Sequence, residues 1–292
     1  MRTPTVESPA LSGRLGRQVF LKLENLQRGG TFKRRGVAAR FALLSVGERA
    51  RGVLAVSGGN FGRAVADLAG ETGVAATIVL PASAPAASVG YIRSAGARTE
   101  VTDTVEQAFK RADELAVSTG AVLLDDVSDL TIATGYGTLA PEIVEDVPSV
   151  TDLVVSVGGG ALLAGVCRAV DLRVWAAEPD GADCLSAALA AGRPTPVPVT
   201  TRISTLGVPE VSPLILEQVV GRLAGVVTVS DEDSFAATRW LIEEARVWAE
   251  PAAGCAVAAA EVIAATLPTD AVVCVIVCGG NATLADAASM GR

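Results

Sequence analysis

Short apolar segments that alternate with helical patterns constrain this fold more than any other feature of the sequence. Most of these segments are rich in Val, Ile, Leu and Ala, and they lie at 53–56, 75–80, 96–101, 121–124, 152–157, 174–177, 226–229 and 271–277. Helical patterns cover 61–69, 105–118, 161–169, 231–246 and 252–265. Strands separated by helices form βαβ units, and strands without polar alternation are buried on both faces. The sequence therefore predicts an α/β fold with mostly parallel sheets.

The composition narrows the possible partners. The 292 residues carry a formal net charge of −8, whereas a nucleic-acid-binding protein presents a basic face. The most apolar stretch, 271–277, is far shorter than the roughly 20 residues that span a bilayer. The five cysteines lack the paired spacing of a disulfide framework or a zinc site. We therefore expect a cytoplasmic protein that binds neither nucleic acid nor membrane.

The absence of histidine limits the chemistry that the side chains can perform. Histidine is the commonest general base and metal ligand. Acid–base chemistry in this chain must therefore use Lys, Asp, Glu, Ser, Cys or a cofactor.

Glycine-rich turns follow three of the predicted strands, at 58–59, 158–160 and 279–280. Ligands of open α/β sheets bind at the carboxyl ends of the strands, and a helix that starts after such a turn offers N–H groups to a phosphate. The turn at 158–160, directly before the predicted helix at 161–169, fits a phosphate site best. The same pattern also suits a plain tight turn, and it matches neither the dinucleotide-binding nor the P-loop motif.

A basic cluster contains Lys33, which Arg34 and Arg35 follow. By itself such a cluster is typical of a solvated turn. The surrounding string, however, resembles a motif of fold-type II pyridoxal phosphate enzymes, the serine/threonine dehydratase and serine racemase group. That motif reads KLENLQ-x-x-G-S-F-K-x-R-G, and this chain matches it at 22–27, 30, 32, 33, 35 and 36, with Thr31 in place of Ser. The resemblance implies that Lys33 holds pyridoxal 5′-phosphate as a Schiff base.

Five further motifs resemble those of the family, in the same order, and cover nearly the entire chain. They are Ser57-Gly58-Gly59-Asn60, Asp125-Asp126 with Gly135-Tyr136-Gly137-Thr138, Val157 to Leu162, Glu250 to Gly254, and Cys278-Gly279-Gly280-Asn281. The chain departs from the family pattern at Tyr136, where the family has Gln, and at Ala161, where it has Gly. The resemblance implies two open, twisted, parallel-type sheets with flanking helices, the architecture of the tryptophan synthase β-like enzymes.

The resemblance also implies the residues of the site. Those expected to bind the cofactor are Phe32, Lys33, Asn60, Gly158, Gly159, Gly160, Ala161, Leu162 and Cys278. Those expected to bind the substrate are Ser57, Gly58, Gly59, Asn60 and Tyr136. In the family, the residue at position 278 faces the pyridine nitrogen, and a Cys there leaves that nitrogen largely unprotonated. The weaker electron sink favours β-elimination over reactions that need a long-lived carbanion.

The expected reaction is the elimination of water and ammonia from a small L-β-hydroxy amino acid such as serine or threonine. Lys33 would remove the Cα proton, and the aminoacrylate that is released would hydrolyse to a 2-oxo acid and ammonia. A racemase needs acid–base groups on both faces of the Cα carbanion. Serine racemases have a second Ser where this chain has Gly58, so the sequence favours elimination.

Several alternatives stay open from the sequence. Racemisation or β-replacement on the same scaffold is the nearest, and a non-catalytic binding protein is more distant. Tyr136 and Phe61 also allow a larger, aryl or acidic substrate. A monovalent or divalent cation is possible, since Glu178 and Ala182 match the family's cation site, but Cys184 stands where the family has Asp or Ser.

The resemblance implies a division into two domains and a homodimer. The large cofactor-binding domain would comprise 1–51 and 131–292, and the small mobile domain 52–130. Closure of the small domain over the substrate would exclude water.

Overall fold

Two separate sheets form the framework of the computed structural model, which describes residues 1–290. The strands are β1 (Thr5–Glu7), β2 (Gln18–Leu23), β3 (Val53–Val56), β4 (Ala76–Pro81), β5 (Arg98–Thr102), β6 (Val122–Leu124), β7 (Asp152–Ser156), β8 (Arg173–Pro179), β9 (Leu223–Val229) and β10 (Val272–Val277). The helices are α1 (Pro9–Leu15), α2 (Lys33–Ala42), α3 (Val46–Arg51), α4 (Asn60–Thr72), α5 (Ala86–Ser94), α6 (Val105–Thr119), α7 (Leu130–Gly137), α8 (Leu139–Asp146), α9 (Ala161–Ala169), α10 (Cys184–Ala191), α11 (Pro213–Val219), α12 (Asp231–Glu243), α13 (Pro251–Ala264) and α14 (Leu284–Ser289). A 3-10 helix covers Glu24–Leu26.

The chain divides into two compact units. The first comprises Met1–Phe32 and Tyr136–Arg292, and the second comprises Lys33–Gly135. The predicted small domain, 52–130, lies within the second unit, and its mobility stays a prediction.

The first unit contains the six-stranded sheet, with the order β1-β2-β10-β7-β8-β9. Only the pairing of β1 with β2 is antiparallel, so the other strands end at one common edge. The central strands β7 and β10 are buried along their entire length. Helix α13 covers this sheet with a face of small residues, and a Cβ added at its Gly254 would lie 2.1 Å from the carbonyl oxygen of Ser234 on α12. Small residues therefore let the two helices pack closely.

The second unit contains the four-stranded sheet, with the order β5-β4-β3-β6, in which all pairs are parallel. Helix α4 follows β3 directly and buries its apolar face, including Phe61 and Val65. Helix α2 packs against α4. Because parallel strands end at the same edge, the turn after β3 and the segment after β6 are neighbours in this unit.

The structure confirms the predicted fold class: an α/β protein with two parallel-type sheets and flanking helices. The predicted helix at 161–169 coincides with α9. The predicted strand at 53–56 coincides with β3, and the bounds of the other predicted strands and helices differ by a few residues, as element ends commonly do. Within residues 1–290, no helix is both long and apolar enough to cross a membrane.

Candidate functional site

The loop before Lys33 is fastened to the end of β10. The Phe32 N–H donates to the Cys278 carbonyl over 3.1 Å, and the Gly280 N–H donates to the Gly30 carbonyl over 2.9 Å. An isolated bridge also pairs Thr31 with Gly279. Lys33 follows as the first residue of α2. Backbone hydrogen bonds between segments that lie far apart in the chain therefore fix the point from which the Lys33 side chain starts.

Lys33 differs from the other two lysines of the chain in its surroundings. Lys22 is fully buried, and its Nζ lies 2.7 Å from a carboxylate oxygen of Glu142. Lys110 is exposed on α6. The Lys33 side chain is 21 % exposed. A lysine that binds a carbonyl cofactor must be reachable yet shielded from bulk water, and Lys33 meets both conditions.

Asp126 is a functional candidate to which the motif at 125–126 assigned no role in the site. The Lys33 Nζ donates to its Oδ2 over 2.5 Å, and both side chains are 21 % exposed. Asp126 lies just beyond the end of β6, the neighbour of β3. The sequence separation of 93 residues explains why no local pattern revealed this contact.

The turn at 57–60 connects β3 to α4. The Ser57 hydroxyl accepts the Gly59 N–H over 3.2 Å, and Asn60, 8 % exposed, is the first residue of α4. Gly59 precedes the helix and forms no side-chain capping bond. The first N–H groups of a helix have no partner within it, so this turn can donate to an anionic group such as a carboxylate.

A side chain at position 58 has no space in this turn. A Cβ added at Gly58 would lie 2.5 Å from the Cβ of Ala84. The position that is a second Ser in serine racemases is thus closed by the segment after β4.

The glycines of the turn at 158–160 let its backbone lie close to neighbouring segments of the chain. Gly160 has a φ of 82°, and a Cβ there would lie 2.7 Å from Cγ2 of Ile215. A Cβ at Gly158 would lie 3.2 Å from the Thr205 carbonyl oxygen. Gly160 caps α9 without a side-chain bond, so the first turn of the helix presents N–H groups. Backbone donors at a helix N-terminus fit the phosphate of pyridoxal phosphate.

Cys278 lies at the end of β10, beside the end of β7. It is 3 % exposed, and the Ser156 hydroxyl lies 3.6 Å from its sulfur. Both side chains can donate a hydrogen bond. This donor set suits an aromatic nitrogen that stays largely unprotonated, as the sequence predicts for the cofactor ring.

Tyr136 is fully buried and packs against the residue before Lys33. Its ring centroid lies 4.7 Å from that of Phe32, with an interplanar angle of 77°. Edge-to-face pairs of this kind are favourable beyond the area they bury. Tyr136 therefore supports the loop that positions Lys33, and its contact with substrate stays a prediction.

Glu178 was predicted to hold a cation together with Ala182. In the structure its carboxylate accepts hydrogen bonds from the first turn of α10. Its Oε1 accepts the Leu185 N–H over 2.7 Å, and its Oε2 accepts the Ser186 N–H over 2.9 Å. Burial raises the pKa of Glu178 above its ordinary value, although these hydrogen bonds act in the opposite sense. Among the described residues there is no group of three or more His, Cys, Asp or Glu that could hold a metal. The cation site stays a prediction.

Cys184 connects the same region to the glycine turn. Burial raises the pKa of its thiol to about 12, so the thiol is protonated at neutral pH. Its sulfur lies 3.8 Å from the Gly158 carbonyl oxygen. Cys184 thus supports the turn at 158–160.

The predicted site residues fall into two groups. The first unit contains Phe32, Tyr136, Gly158, Gly159, Gly160, Ala161, Leu162, Glu178, Ala182 and Cys278. The second unit contains Lys33, Ser57, Gly58, Gly59 and Asn60. Within the first unit, direct contacts connect Phe32 with Tyr136 and with Cys278. The second unit thus offers an amine with a carboxylate beside it and N–H donors at 57–60, and the first unit offers N–H donors at 158–162 and the thiol of Cys278.

Comparison with known proteins identifies the family. A family model described as "Pyridoxal-phosphate dependent enzyme" matches residues 1–279. The L-threonine ammonia-lyase of Thermotoga maritima is 36% identical over 265 residues, which cover 88% of this chain and 66% of that protein. The human protein named "Serine dehydratase-like" is 35% identical over 298 residues, covering 96% of this chain and 90% of that protein.

The solved structures agree with this result. The structure of maize serine racemase is similar with a TM-score of 0.93 and 30% identity, covering 98% of this chain and 90% of that chain. The predicted family and its cofactor, pyridoxal phosphate, are confirmed. The chain belongs to the family of pyridoxal-phosphate dependent enzymes.

Proposed function

We propose that this protein eliminates water and ammonia from a small L-β-hydroxy amino acid such as serine or threonine, and that the products are a 2-oxo acid and ammonia. The observation that carries the proposal is the placement of Lys33, which follows a loop bonded to the end of β10 and is partly exposed. Relatives named L-threonine ammonia-lyase and serine dehydratase-like support the same reaction.

The chain's own residues would hold the cofactor at three places. The N–H groups of residues 158–162 would bind its phosphate, the Lys33 amine would bind its aldehyde carbon, and Cys278 would face its ring nitrogen. Asn60, at the start of α4, would contact the ring oxygen. When bound, pyridoxal phosphate supplies an electron sink for the charge that develops at Cα.

The remaining steps belong to protein groups. The N–H donors of the turn at 57–60 would bind the substrate carboxylate and orient the amino acid. The neutral Lys33 amine would then accept the Cα proton at Nζ, which makes it a general base. The Cβ–O bond would then break while a Cα=Cβ bond forms, and the departing hydroxide together with the proton removed from Cα accounts for the water eliminated. Shielding of the site would protect the reactive product from premature hydrolysis.

Serine racemases are among the relatives, so racemisation is the alternative to be weighed. A second acid–base group would have to stand on the face of Cα opposite Lys33. Gly58 has no side chain, and Ala84 fills the space that one would need. This observation favours elimination.

Replacement of Lys33 by Ala tests the proposal. We expect the purified protein to show the visible absorption band of a cofactor Schiff base and to form 2-oxo acid from L-serine, L-threonine or L-threo-3-hydroxyaspartate. Lys33→Ala should lose both the band and the product, because no other lysine can take this place. Lys110→Ala, on the exposed face of α6, is the matched control and should keep both.

Each of the other outcomes has a definite meaning. A band without 2-oxo acid would move the function to racemisation, replacement or another amino acid. No band after incubation with pyridoxal phosphate would contradict the enzyme assignment and leave a binding protein.

We also propose that the protein is a cytoplasmic homodimer whose residues 52–130 move as a domain. The family resemblance supports the dimer and the movement, and the five cysteines, all buried free thiols, are consistent with a reducing compartment. Sedimentation analysis should give twice the chain mass of 29.6 kDa.

A cation bound at Glu178 and Ala182 would be detected as enzyme activity that is lost on dialysis and regained when salts are added.

A further inference from the structure

A loop of the first unit lies against the turn at 158–160, which the proposed function assigns to the cofactor phosphate. The loop comprises residues 197–209, and the Val197 N–H donates to the Pro209 carbonyl over 2.9 Å where it begins and ends. We propose that Asp231, the first residue of α12, positions this turn for the phosphate by anchoring the 197–209 loop. The inference rests on the proposed function, because it takes the N–H groups of residues 158–162 as the phosphate donors.

The 197–209 loop contacts the turn at Gly158. A Cβ added at Gly158 would lie 3.2 Å from the Leu206 Cα, 3.2 Å from the Thr205 carbonyl oxygen and 3.4 Å from a methyl group of Val208. The Leu206 side chain is buried, with 4 % exposed. Because protein interiors are close-packed, a shift of the loop at 205–208 changes the space available to the Gly158 backbone.

Asp231 holds the loop with both of its carboxylate oxygens. Its Oδ1 accepts the Thr201 hydroxyl over 2.5 Å, and its Oδ2 accepts the Arg202 N–H over 2.6 Å. Asp231 is 8 % exposed, and hydrogen bonds to an ionised carboxylate are stronger than those between neutral groups. A side chain of α12 thus fixes the loop at residues 201 and 202.

A short series of hydrogen bonds connects this anchor to the residues that contact the turn. The Thr201 hydroxyl accepts the Ile203 N–H over 3.0 Å. The Ile203 carbonyl accepts the Leu206 N–H over 2.9 Å and the Gly207 N–H over 3.1 Å. Groups that bind a ligand keep their geometry when the residues behind them are fixed by hydrogen bonds. Asp231 can therefore act on the phosphate site through the loop, without serving as a phosphate ligand itself.

Glu232, the next residue of α12, provides a matched control. It forms an ion pair with the Arg202 guanidinium, but the side chains of Arg202 and Glu232 are 52 % and 76 % exposed. Exposed ion pairs contribute little to stability. Glu232→Ala therefore removes one charge beside the same loop and leaves both hydrogen bonds of Asp231 in place.

The affinities for pyridoxal 5′-phosphate and for pyridoxal, which lacks the phosphate, test the inference. Each compound is titrated into cofactor-free protein and followed by the visible absorption of its Schiff base. Asp231→Ala should weaken the binding of pyridoxal 5′-phosphate about 10-fold, a loss comparable to one hydrogen bond to a charged group, and should leave the binding of pyridoxal unchanged. Glu232→Ala should change neither affinity. A general loss of stability would weaken the binding of both compounds equally.

The direction of the change distinguishes positioning from a charge effect. Loss of a negative charge alone would strengthen the binding of the anionic cofactor. An unchanged or increased preference for pyridoxal 5′-phosphate over pyridoxal in Asp231→Ala would therefore overturn the inference. If this variant does not fold, Thr201→Val removes one of the same two hydrogen bonds and should lower the preference in the same sense, and an unchanged preference in that variant would overturn the inference instead.

Failure of the inference can be distinguished from failure of the proposed function. Gly160→Ala alters the phosphate turn itself. If Gly160→Ala lowers the preference for the phosphorylated compound and Asp231→Ala does not, the phosphate site stands and the role of Asp231 is wrong. If neither variant lowers it, the phosphate binds elsewhere and both assignments are wrong. If no amino acid yields 2-oxo acid while the preference depends on Asp231, the proposed reaction fails and the role of Asp231 stands.

Discussion

At the scale of single residues, the proposed distinction from a racemase depends on an absent side chain. Gly58 lies in the turn after β3, where a Cβ would come within 2.5 Å of the Ala84 Cβ and 3.3 Å of the Ala84 Cα. A contact of this length forces a neighbour to move, and Ala84 offers only backbone and a methyl group. The turn is therefore shaped around a glycine, and introducing the second acid–base group requires more than one substitution.

Gly58→Ser should destabilise the protein without creating a racemase. Overpacking of this kind costs about 1–3 kcal/mol, and the displaced Ser hydroxyl should not reach the second face of Cα. Denaturant unfolding measures the cost, and chiral chromatography detects D-serine. Ala84→Gly in the same chain should restore much of the lost stability. A single Gly58→Ser variant with wild-type stability and D-serine production would contradict the argument.

At the scale of elements, the start of α9 is positioned by crowding from α11. Gly160 has a φ of 82° and Ile215 against it, whereas Gly192, the C-cap of α10, has a φ of 68° and no atom within 4 Å of an added Cβ. The two glycines share the left-handed conformation and differ in their surroundings. A comparison of the same substitution at both glycines therefore distinguishes the cost of backbone strain from the cost of a steric clash.

Gly160→Ala should cost more stability and more cofactor affinity than Gly192→Ala. Both variants incur about 1–2 kcal/mol for a left-handed alanine, and the Gly160 variant adds about 1–3 kcal/mol of overpacking. Unfolding of the cofactor-free proteins and fluorescence titration with pyridoxal phosphate measure the two effects. Equal losses of stability and of cofactor affinity in the two variants would show that Ile215 does not constrain the turn at 158–160.

The start of β7 is held by a buried carboxylate. Asp152 is fully buried, and it accepts hydrogen bonds from Arg173 over 2.6 and 2.8 Å and from the Trp175 indole over 2.8 Å. Burial acts to raise the pKa of Asp152, but the hydrogen bonds from Arg173, Thr151 and Trp175 outweigh it and lower the pKa below 3.8. The ionised form is thus the one that stabilises the pairing of β7 with β8.

The contribution of Asp152 to the free energy of unfolding should decrease in strong acid. A lowered pKa in the folded state gives stability that is complete above the unfolded value of 3.8 and is lost as the pH falls through the folded value. Asp152→Asn should therefore cost about 1–3 kcal/mol near neutral pH. The difference in the free energy of unfolding between wild type and Asp152→Asn should stay constant down to about pH 5 and become smaller in stronger acid. Urea unfolding at several pH values measures it, and a gap that widens in acid would contradict the assignment.

At the scale of the whole molecule, binding of the cofactor should increase the stability of the folded protein. A ligand that binds only the folded state stabilises it by about 2.7 kcal/mol at a concentration 100-fold above its Kd. Pyridoxal phosphate should therefore raise the melting temperature of the wild-type protein. Lys33→Ala should show a smaller rise, since the turn at 158–160, Cys278 and Asn60 would then hold the cofactor without a covalent bond. A rise of equal size in both proteins would contradict a bond between Lys33 and the cofactor.

Much of the fold followed from local patterns. The run at 53–56 is apolar throughout, the run at 152–157 is apolar except for Asp152 and Ser156, and both precede glycine turns, so these strands were readable from the sequence alone. Strand β2 was not predicted, because Lys22 interrupts an apolar run and would ordinarily mark an exposed position. The structure buries Lys22 fully, with Glu142 and the Thr3 carbonyl as partners of its amine. Partners this distant in sequence leave no local signal.

The sequence by itself determined the family, the lysine and the glycine turns, since these features are encoded in contiguous residues whose conformations local chemistry limits. The tertiary structure alone decided which groups meet. Lys33 and Asp126 lie 93 residues apart and approach because β6 lies beside β3 and α2 packs against α4. The space at Gly58 is likewise closed by Ala84, which the pairing of β3 with β4 brings near. Contacts across a sheet depend on strand order, and strand order is a property of the folded chain.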